Sequence, residues 1–262
     1  MKVRVISAIV AAAISIPLII LGGYFFAIGV CIIAALAYKE ILDLRKSHGE
    51  YPMFVIFLGF IAMIMFILSN YADASIYKGI TYQTITFVLL ILLLPTIFYK
   101  NDKYSTKDAF YLIGATLLLG IVFNVFIVLR NRGLFLFLYL LIVPMVTDIF
   151  AMLGGKYFGK NKMCPNLSPH KTWEGSLCGL IGGVLVGLIF YSTLVGSFSL
   201  HAVFITILLS VVGQVGDLVM SKIKRENEIK DFSNIMPGHG GILDRLDSVI
   251  FVFLTYMFLL II

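Results

Sequence analysis

Nine stretches of about 20 apolar residues run through the chain, separated by short polar segments. A bilayer core about 30 Å thick needs about 20 residues of helix to cross it, so stretches of this length predict membrane helices rather than barrel strands. They fall at roughly 5–21, 24–42, 53–69, 80–99, 109–129, 133–153, 172–195, 201–221 and 246–262. The last is short enough to sit shallow or to tilt. Composition agrees: 60% of residues are hydrophobic and 13% charged, with a mean hydropathy of +1.03, against about 25% charged in a soluble domain. Gly22-Gly23 breaks the first pair of stretches. The basic start, Met1-Lys2-Val3-Arg4, imitates a secretory signal, but a second apolar stretch follows at once, so the first reads as an uncleaved membrane helix. The sequence has no evident internal repeat or low-complexity tract. The expected fold is all-α: a polytopic membrane protein of about nine transmembrane helices with a polar cavity facing the cytoplasm. Residues 1–262 are expected to form a single membrane-embedded unit, with N-terminal helices over 1–135 and a catalytic half over 136–262.

Lysine and arginine set the orientation. With a cytoplasmic N-terminus, every Lys and Arg except Lys78, Arg130 and Arg132 falls on the cytoplasmic side. The rule that cytoplasmic loops are basic then places the two long polar loops, 154–171 and 222–245, in the cytoplasm. It also accounts for much of the net charge of +6. Nucleic acid is an improbable partner, because the basic residues adjoin the bilayer and carry no nucleic-acid motif. Cys31, Cys164 and Cys178 have no paired or zinc-type spacing, and Cys31 and Cys178 read as small core residues.

The densest polar run is Ser221–Asp247. Lys222, Lys224, Arg225, Lys230 and Arg245 supply positive charge, and Asp231, Asp244 and Asp247 supply carboxylates. Pro237-Gly238-His239-Gly240-Gly241 supplies a turn whose backbone N–H groups can be approached closely. Cations and a glycine turn suit a phosphate-rich ligand, and carboxylates beside them suit a divalent metal that bridges phosphates. His239 could donate to a phosphate oxygen, or be a loop histidine satisfied locally. His48 and His201, at a loop and a segment end, read as incidental interface residues.

Three acids lie in or near apolar stretches: Asp148, Glu174 and Asp217. Carboxylates are costly in hydrocarbon and mark functional sites by default; the alternative is a side chain reaching the interface or pairing with a nearby lysine. Asp217 stands four residues before Ser221, on the same helix face. A second polar cluster, Gly154–Gly175, reads as a glycine and lysine loop with Lys160, Lys162 and Lys171, followed by a helix start at Thr172-Trp173-Glu174-Gly175. Ser168 or Thr172 could cap that helix and present N–H groups to an anion. An ordinary basic loop with Trp173 at the interface is the competing reading.

Ser221, Lys224, Arg225, Lys230, Asp231, Ser233, Pro237, His239, Gly240, Gly241, Asp244, Arg245 and Asp247 stand in register with a known signature. It resembles that of the phosphatidate cytidylyltransferase family, the CDP-diacylglycerol synthases. Met236 departs from the Leu, Ile or Phe of that signature. Thr147-Asp148, Gly155-Lys156 and Ser168–Gly175 look like further elements of the family, with His170 in place of the first lysine of its Lys-Lys pair. The resemblance covers Asp148–Asp247; the N-terminal half carries no motif that can be transferred.

The resemblance implies the reaction of CTP with phosphatidate to give CDP-diacylglycerol and pyrophosphate. It implies catalytic roles for Asp217, Asp244, Asp247, Lys224 and Arg225, with Asp217 and Asp244 as ligands of Mg²⁺ and scope for a second cation. Substrate contacts fall to Asp148, Lys160, Ser168, Lys171, Thr172, Glu174, Ser221, Lys230, His239, Gly240, Gly241 and Arg245. By position, Ser168–Gly175 would serve the nucleotide and Lys224-Arg225 the lipid phosphate. CTP, phosphatidate and membrane lipids are the expected partners, a homodimer is implied, and a bacterial inner membrane is the expected location. A cation transporter is the rival from another class, but transporters show repeats and broken helices near the midplane, and these acids cluster toward the cytoplasmic side. A CTP-using lipid kinase, or a synthase for another lipid phosphate, is the nearer rival. The spaced aspartate run of CDP-alcohol phosphotransferases is absent.

Overall fold

The computed structural model describes residues 2–44, 50–69, 81–165, 167–238 and 240–260. Each apolar stretch falls on a helix. In chain order these are α1 (Lys2–Leu21), α2 (Gly23–Asp43), α3 (Met53–Leu68), α4 (Tyr82–Leu93), α5 (Thr106–Arg132), α6 (Leu134–Phe158), α7 (Trp173–Phe190), α8 (Leu200–Glu226) and α9 (Leu243–Leu259). Five helices among the described residues are long and apolar enough to cross a membrane: α2, α5, α6, α7 with its π-helical extension to Val195, and α8. Ile9–Leu21, Met53–Leu68 and Tyr82–Ile97 are shorter apolar helices. In α9, Asp244, Arg245 and Asp247 occupy the start of the helix and shorten its apolar run. The protein is thus a helical, integral membrane protein.

Helix ends follow from local chemistry. Gly22 and Gly23 take φ of +67° and +54°, a left-handed conformation that ends α1 and starts α2. Arg130 closes that break from α5, its Nε donating to the Ile19 carbonyl and its Nη2 to that of Ile20 at 2.9 Å. α4 tightens into a 3₁₀ turn at Leu94–Ile97, where Pro95 has no N–H to give. α8 runs on to Glu226, beyond the apolar stretch, so Lys222, Lys224 and Arg225 are helical rather than part of a loop. Cations are favourable at a helix C-terminus, where the last carbonyls face outward. The end itself is a Schellman turn. Ile229 N donates to Lys224 O at 3.0 Å and Glu228 N to Arg225 O at 3.1 Å, with Glu228 at φ +57°.

The chain clusters into two compact units: Met1–Arg132 with Phe232–Leu243, and Gly133–Asp231 with Asp244–Ile262. In the first, buried polar groups satisfy one another inside an apolar bundle. Asn124 Nδ2 donates to Ile67 O at 2.8 Å, near the end of α3, and Tyr104 Oη to Leu92 O at 2.7 Å. Tyr38 is fully buried against Phe60, their ring centroids 5.2 Å apart.

In the second unit, α7 presents Gly175, Gly179, Gly183 and Gly187 at every fourth position, one face of a helix. Without hydrophobic drive between helices in lipid, small residues that let backbones approach supply the packing. A methyl group at Gly179 would lie 2.7 Å from the Thr147 carbonyl oxygen and 2.8 Å from Ala151 Cβ on α6. At Gly187 it would lie 2.9 Å from Val143 Cγ2. The Gly154–Gly175 cluster, expected as a loop, contains a short antiparallel hairpin of β1 (Lys162–Cys164) and β2 (Ser168–Thr172), with Lys162 opposite Thr172 and Cys164 opposite Ser168. Thr172 caps α7, accepting from Gly175 N at 3.1 Å, while Ser168 lies in the strand.

The glycine face gives a paired prediction. Gly179→Ala is expected to destabilise the detergent-solubilised protein by about 1–3 kcal/mol, because its new methyl meets backbone that cannot yield. Gly114→Ala, in α5 with open space around its Cβ, is expected to be neutral or stabilising by up to about 1 kcal/mol. Melting curves of the two variants check this.

Candidate active site

In the second unit, α6, the hairpin, the start of α7, the C-terminal half of α8 and the start of α9 enclose a cavity of about 710 Å³. That lies within the usual range for small-molecule sites. α6 contributes Asp148 and Lys156 to the wall; the hairpin contributes Lys162, Ser168, His170, Lys171 and Thr172. α8 contributes Gln214, Asp217 and Lys224, and α9 contributes Asp244, Arg245 and Asp247. Asp231 completes the set of charged side chains.

Helical spacing accounts for the convergence. Asp217 and Lys224 are seven residues apart on α8, two turns along one face. Asp244 and Asp247 are three apart on α9 and share a face. Opposite charges then meet in pairs. Lys171 Nζ lies 2.6 Å from Asp217 Oδ2, and Ser221 Oγ donates to Asp217 Oδ1 at 3.3 Å. Lys224 Nζ lies 2.8 Å from Asp244 Oδ1. Asp148 accepts from Ser248 Oγ at 3.2 Å, and Asp247 accepts from Ser248 N at 2.8 Å.

The two ion pairs differ in burial. The Lys171 and Asp217 side chains are 28% and 24% exposed, whereas those of Lys224 and Asp244 are 11% and 4% exposed. With Lys156, Lys162, Lys171, Lys224 and Arg245 set against Asp148, Asp217, Asp231, Asp244 and Asp247, the wall is close to neutral. Among the described residues no three His, Cys, Asp or Glu side chains converge closely enough to cage a metal ion. Asp217 and Asp244, each paired with a lysine, are the oxygen donors that could serve a hard cation such as Mg²⁺, which keeps several waters and uses only one or two carboxylates beside substrate phosphates.

Of the residues singled out in the sequence, Asp148, Ser168, Lys171, Thr172, Asp217, Lys224, Asp244, Arg245 and Asp247 share this cavity. Ser221 sits behind the wall on Asp217. Lys160, Glu174, Arg225 and Lys230 fall outside the wall. Glu174 instead organises the approach to the hairpin, accepting from Lys160 N at 3.1 Å and from Asn161 Nδ2 at 2.7 Å. Arg225 Nη1 donates to Ile229 O at 2.9 Å, across the Schellman turn. Gly240 and Gly241 belong to the first unit, where Gly240 takes φ +82° and Gly241 packs on the Glu40 carboxylate. His239 lies outside the described residues, as do Arg45, Lys46, His48 and Lys78.

Sequence reasoning passed over Gln214, which lines the cavity and donates to Ser176 O at 3.3 Å. Its position three residues before Asp217, on the face that also carries Ser221 and Lys224, was the available signal.

The family model described as the Cytidylyltransferase family matches residues 2–262. The chain belongs to this family. It is similar to the phosphatidate cytidylyltransferase of Staphylococcus haemolyticus (strain JCSC1435), with 35% identity over 257 residues covering 96% of each chain. It is equally similar to that of Bacillus subtilis (strain 168), with 35% identity over 268 residues covering 99% of this chain and 97% of the relative. A third relative of the same name, from Staphylococcus aureus (strain COL), is 35% identical over 254 residues covering 96% of each chain. In this cytidylyltransferase the motif residues gathered at the cavity come from three separate helices, a hairpin and the segment after α8, so the family signature is a three-dimensional wall rather than one loop.

The difference in burial makes the two lysines of the cytidylyltransferase unequal. Lys224→Met removes the counter-charge of a nearly buried carboxylate and is expected to cost about 3–5 kcal/mol. Lys171→Met, at a partly exposed pair, is expected to cost about 1 kcal/mol or less. Thermal melts in one detergent compare them directly.

Proposed function

We infer that the chain transfers the cytidylyl group of CTP to phosphatidate, giving CDP-diacylglycerol and pyrophosphate for phospholipid synthesis. The observation that carries this reading is the single cavity in which the Lys171–Asp217 and Lys224–Asp244 pairs meet Asp148, Asp247 and Arg245. Family membership sets the class of reaction. In that reaction a phosphate oxygen of phosphatidate attacks the α-phosphorus of CTP. The bond from that phosphorus to the bridging oxygen breaks, and pyrophosphate leaves. The nucleophile is already an oxyanion, so placement and charge neutralisation matter more than a strong base.

Lys171, Lys224 and Arg245 neutralise phosphate charge, and Arg245 can grip two oxygens at once. Asp217 and Asp244 would hold Mg²⁺, which would supply positive charge and Lewis acidity to the phosphates at the site. A wall close to neutral supports this reading, since a polyphosphate gains most when it enters with a divalent cation. Asp148 and Asp247 keep the cavity face beside Ser248 polar and fixed.

The chain is read as nine spans of a bacterial inner membrane with the cavity open to the cytoplasm. The distribution of Lys and Arg supports that orientation. Contacts within the first unit agree with it: residues 19–20 meet Arg130 at one end of the bundle, while the far end of α2 meets residues 233–243. The homodimer belongs to this reading on family resemblance alone.

Purified protein in detergent, given CTP, Mg²⁺ and phosphatidate, is expected to release pyrophosphate only when the lipid is present. Asp217→Asn and Asp244→Asn are each expected to lower turnover at least about a hundredfold, the scale of losing one strong electrostatic contact. Near-normal turnover in either variant removes that residue from the reaction. For topology, Lys162→Cys and Glu228→Cys in a background lacking the three native cysteines are expected to resist impermeant thiol reagents until cells are lysed. Labelling of both in intact cells overturns the orientation.

A further inference from the structure

Glu40 is 1% exposed, three residues from the end of α2, and no part of the cavity wall. A carboxylate buried in an apolar helix needs partners where it sits. Its partners come from about 200 residues later in the chain. Ser233 Oγ donates to Glu40 Oε1 at 2.6 Å, Ile242 N to the same oxygen at 2.7 Å, and Leu243 N to Oε2 at 2.9 Å. One carboxylate therefore gathers both ends of the segment 233–243. It also serves as the N-terminal cap of α9, because Leu243 is the first residue of that helix. The first N–H groups of a helix have no partner within it, and a negative charge there is favoured by the helix dipole.

The segment is shaped for this grip. Met236 N donates to Gly240 O at 3.0 Å, and Gly238 and Gly240 take positive φ. A methyl group on Gly241 would come within 2.7 Å of the Glu40 carboxyl carbon. The glycine at 241 is thus explained by the approach of the carboxylate.

We propose that Glu40 is a positioning residue for the reaction: it fixes the first turn of α9 and so sets the placement of Asp244, the next residue after the amides it holds. This rests on the reading that Asp244 serves the reaction. The carboxylate acts through the backbone of Ile242 and Leu243.

Glu40→Gln keeps the shape but turns amide hydrogens toward groups that are themselves donors. Hydrogen exchange of the ligand-free protein is expected to quicken at least about fivefold over residues 240–247, the scale of a lost helix cap, and to stay unchanged over α7. KM for CTP is expected to rise at least about threefold by the same loss of placement. Glu40→Asp keeps the charge with a shorter reach and is expected to restore part of both. A merely structural role would reduce the folded fraction, lowering apparent kcat while leaving KM and the exchange of folded protein unchanged, and that result overturns the proposal. If Glu40→Gln does not accumulate as folded protein, Ser233→Ala decides, because it removes one donor and leaves the charge with its two amides. Faster exchange over 240–247 and a higher KM support the proposal; wild-type values of both overturn it. A wild-type protein inactive toward CTP and phosphatidate would instead sink the proposed reaction, while the exchange data would still report the grip of Glu40 on α9.

Discussion

The Lys224–Asp244 pair joins the last full turn of α8 to the first turn of α9, in a chain where charge is scarce. Both side chains are largely out of water, so each needs the other: the attraction is strong at low dielectric, and so is the penalty for either ion alone. Lys224 holds a second position as well, since its carbonyl receives the Ile229 N–H that closes the Schellman turn. One residue thus ends α8 with its backbone and anchors α9 with its side chain. Asp217, two turns back on α8, and Asp247, on the next turn of α9, line the cavity beside this pair.

The opposite wall rests on an absence of side chains. The glycine face of α7 brings it against α6, which sets the Thr172 cap beside Gly155 and Gly159. At Gly155 a methyl would already lie 3.1 Å from Thr172 Oγ1. The hairpin is short and would be marginal alone. Trp173 N bonding to Asn161 O at 3.0 Å, with Glu174 holding the Lys160 and Asn161 amides, fastens its base to α7. Lys171 reaches Asp217 from that platform.

Much of this was legible in the sequence for definite reasons. Apolar stretches of bilayer length locate helices because the signal is summed over many residues, and all nine stretches fall on helices. The break at Gly22-Gly23 was legible because only glycine takes those dihedrals cheaply. Asp148 and Asp217 stood out because a carboxylate among apolar residues must be satisfied somewhere. What sequence could not supply was the partner. Glu40 follows Lys39 near a helix end and looks like ordinary interfacial charge, while its donors lie about 200 residues away. Glu174 looked like a ligand group and instead bonds backbone 13 and 14 residues earlier. The helical run of Lys222–Arg225 was hidden because charge marks the end of an apolar stretch, not the end of a helix. The glycine repeat of α7 was present in the sequence, but its use depended on which helix it faced.

The first unit is discontinuous in the chain: its closing piece, Phe232–Leu243, is separated from Arg132 by the second unit's helices α6–α8. A ribosome adding about 5–20 residues per second needs roughly 5–20 s to cross that interval. Throughout it, α2 is already made while the Ser233, Ile242 and Leu243 donors are not. Glu40 must therefore enter the membrane before its lasting partners exist, held meanwhile by water or headgroups at the bilayer surface. The order of synthesis thus favours a carboxylate near the end of its helix, as Glu40 is, over one at mid-span, where waiting would cost more.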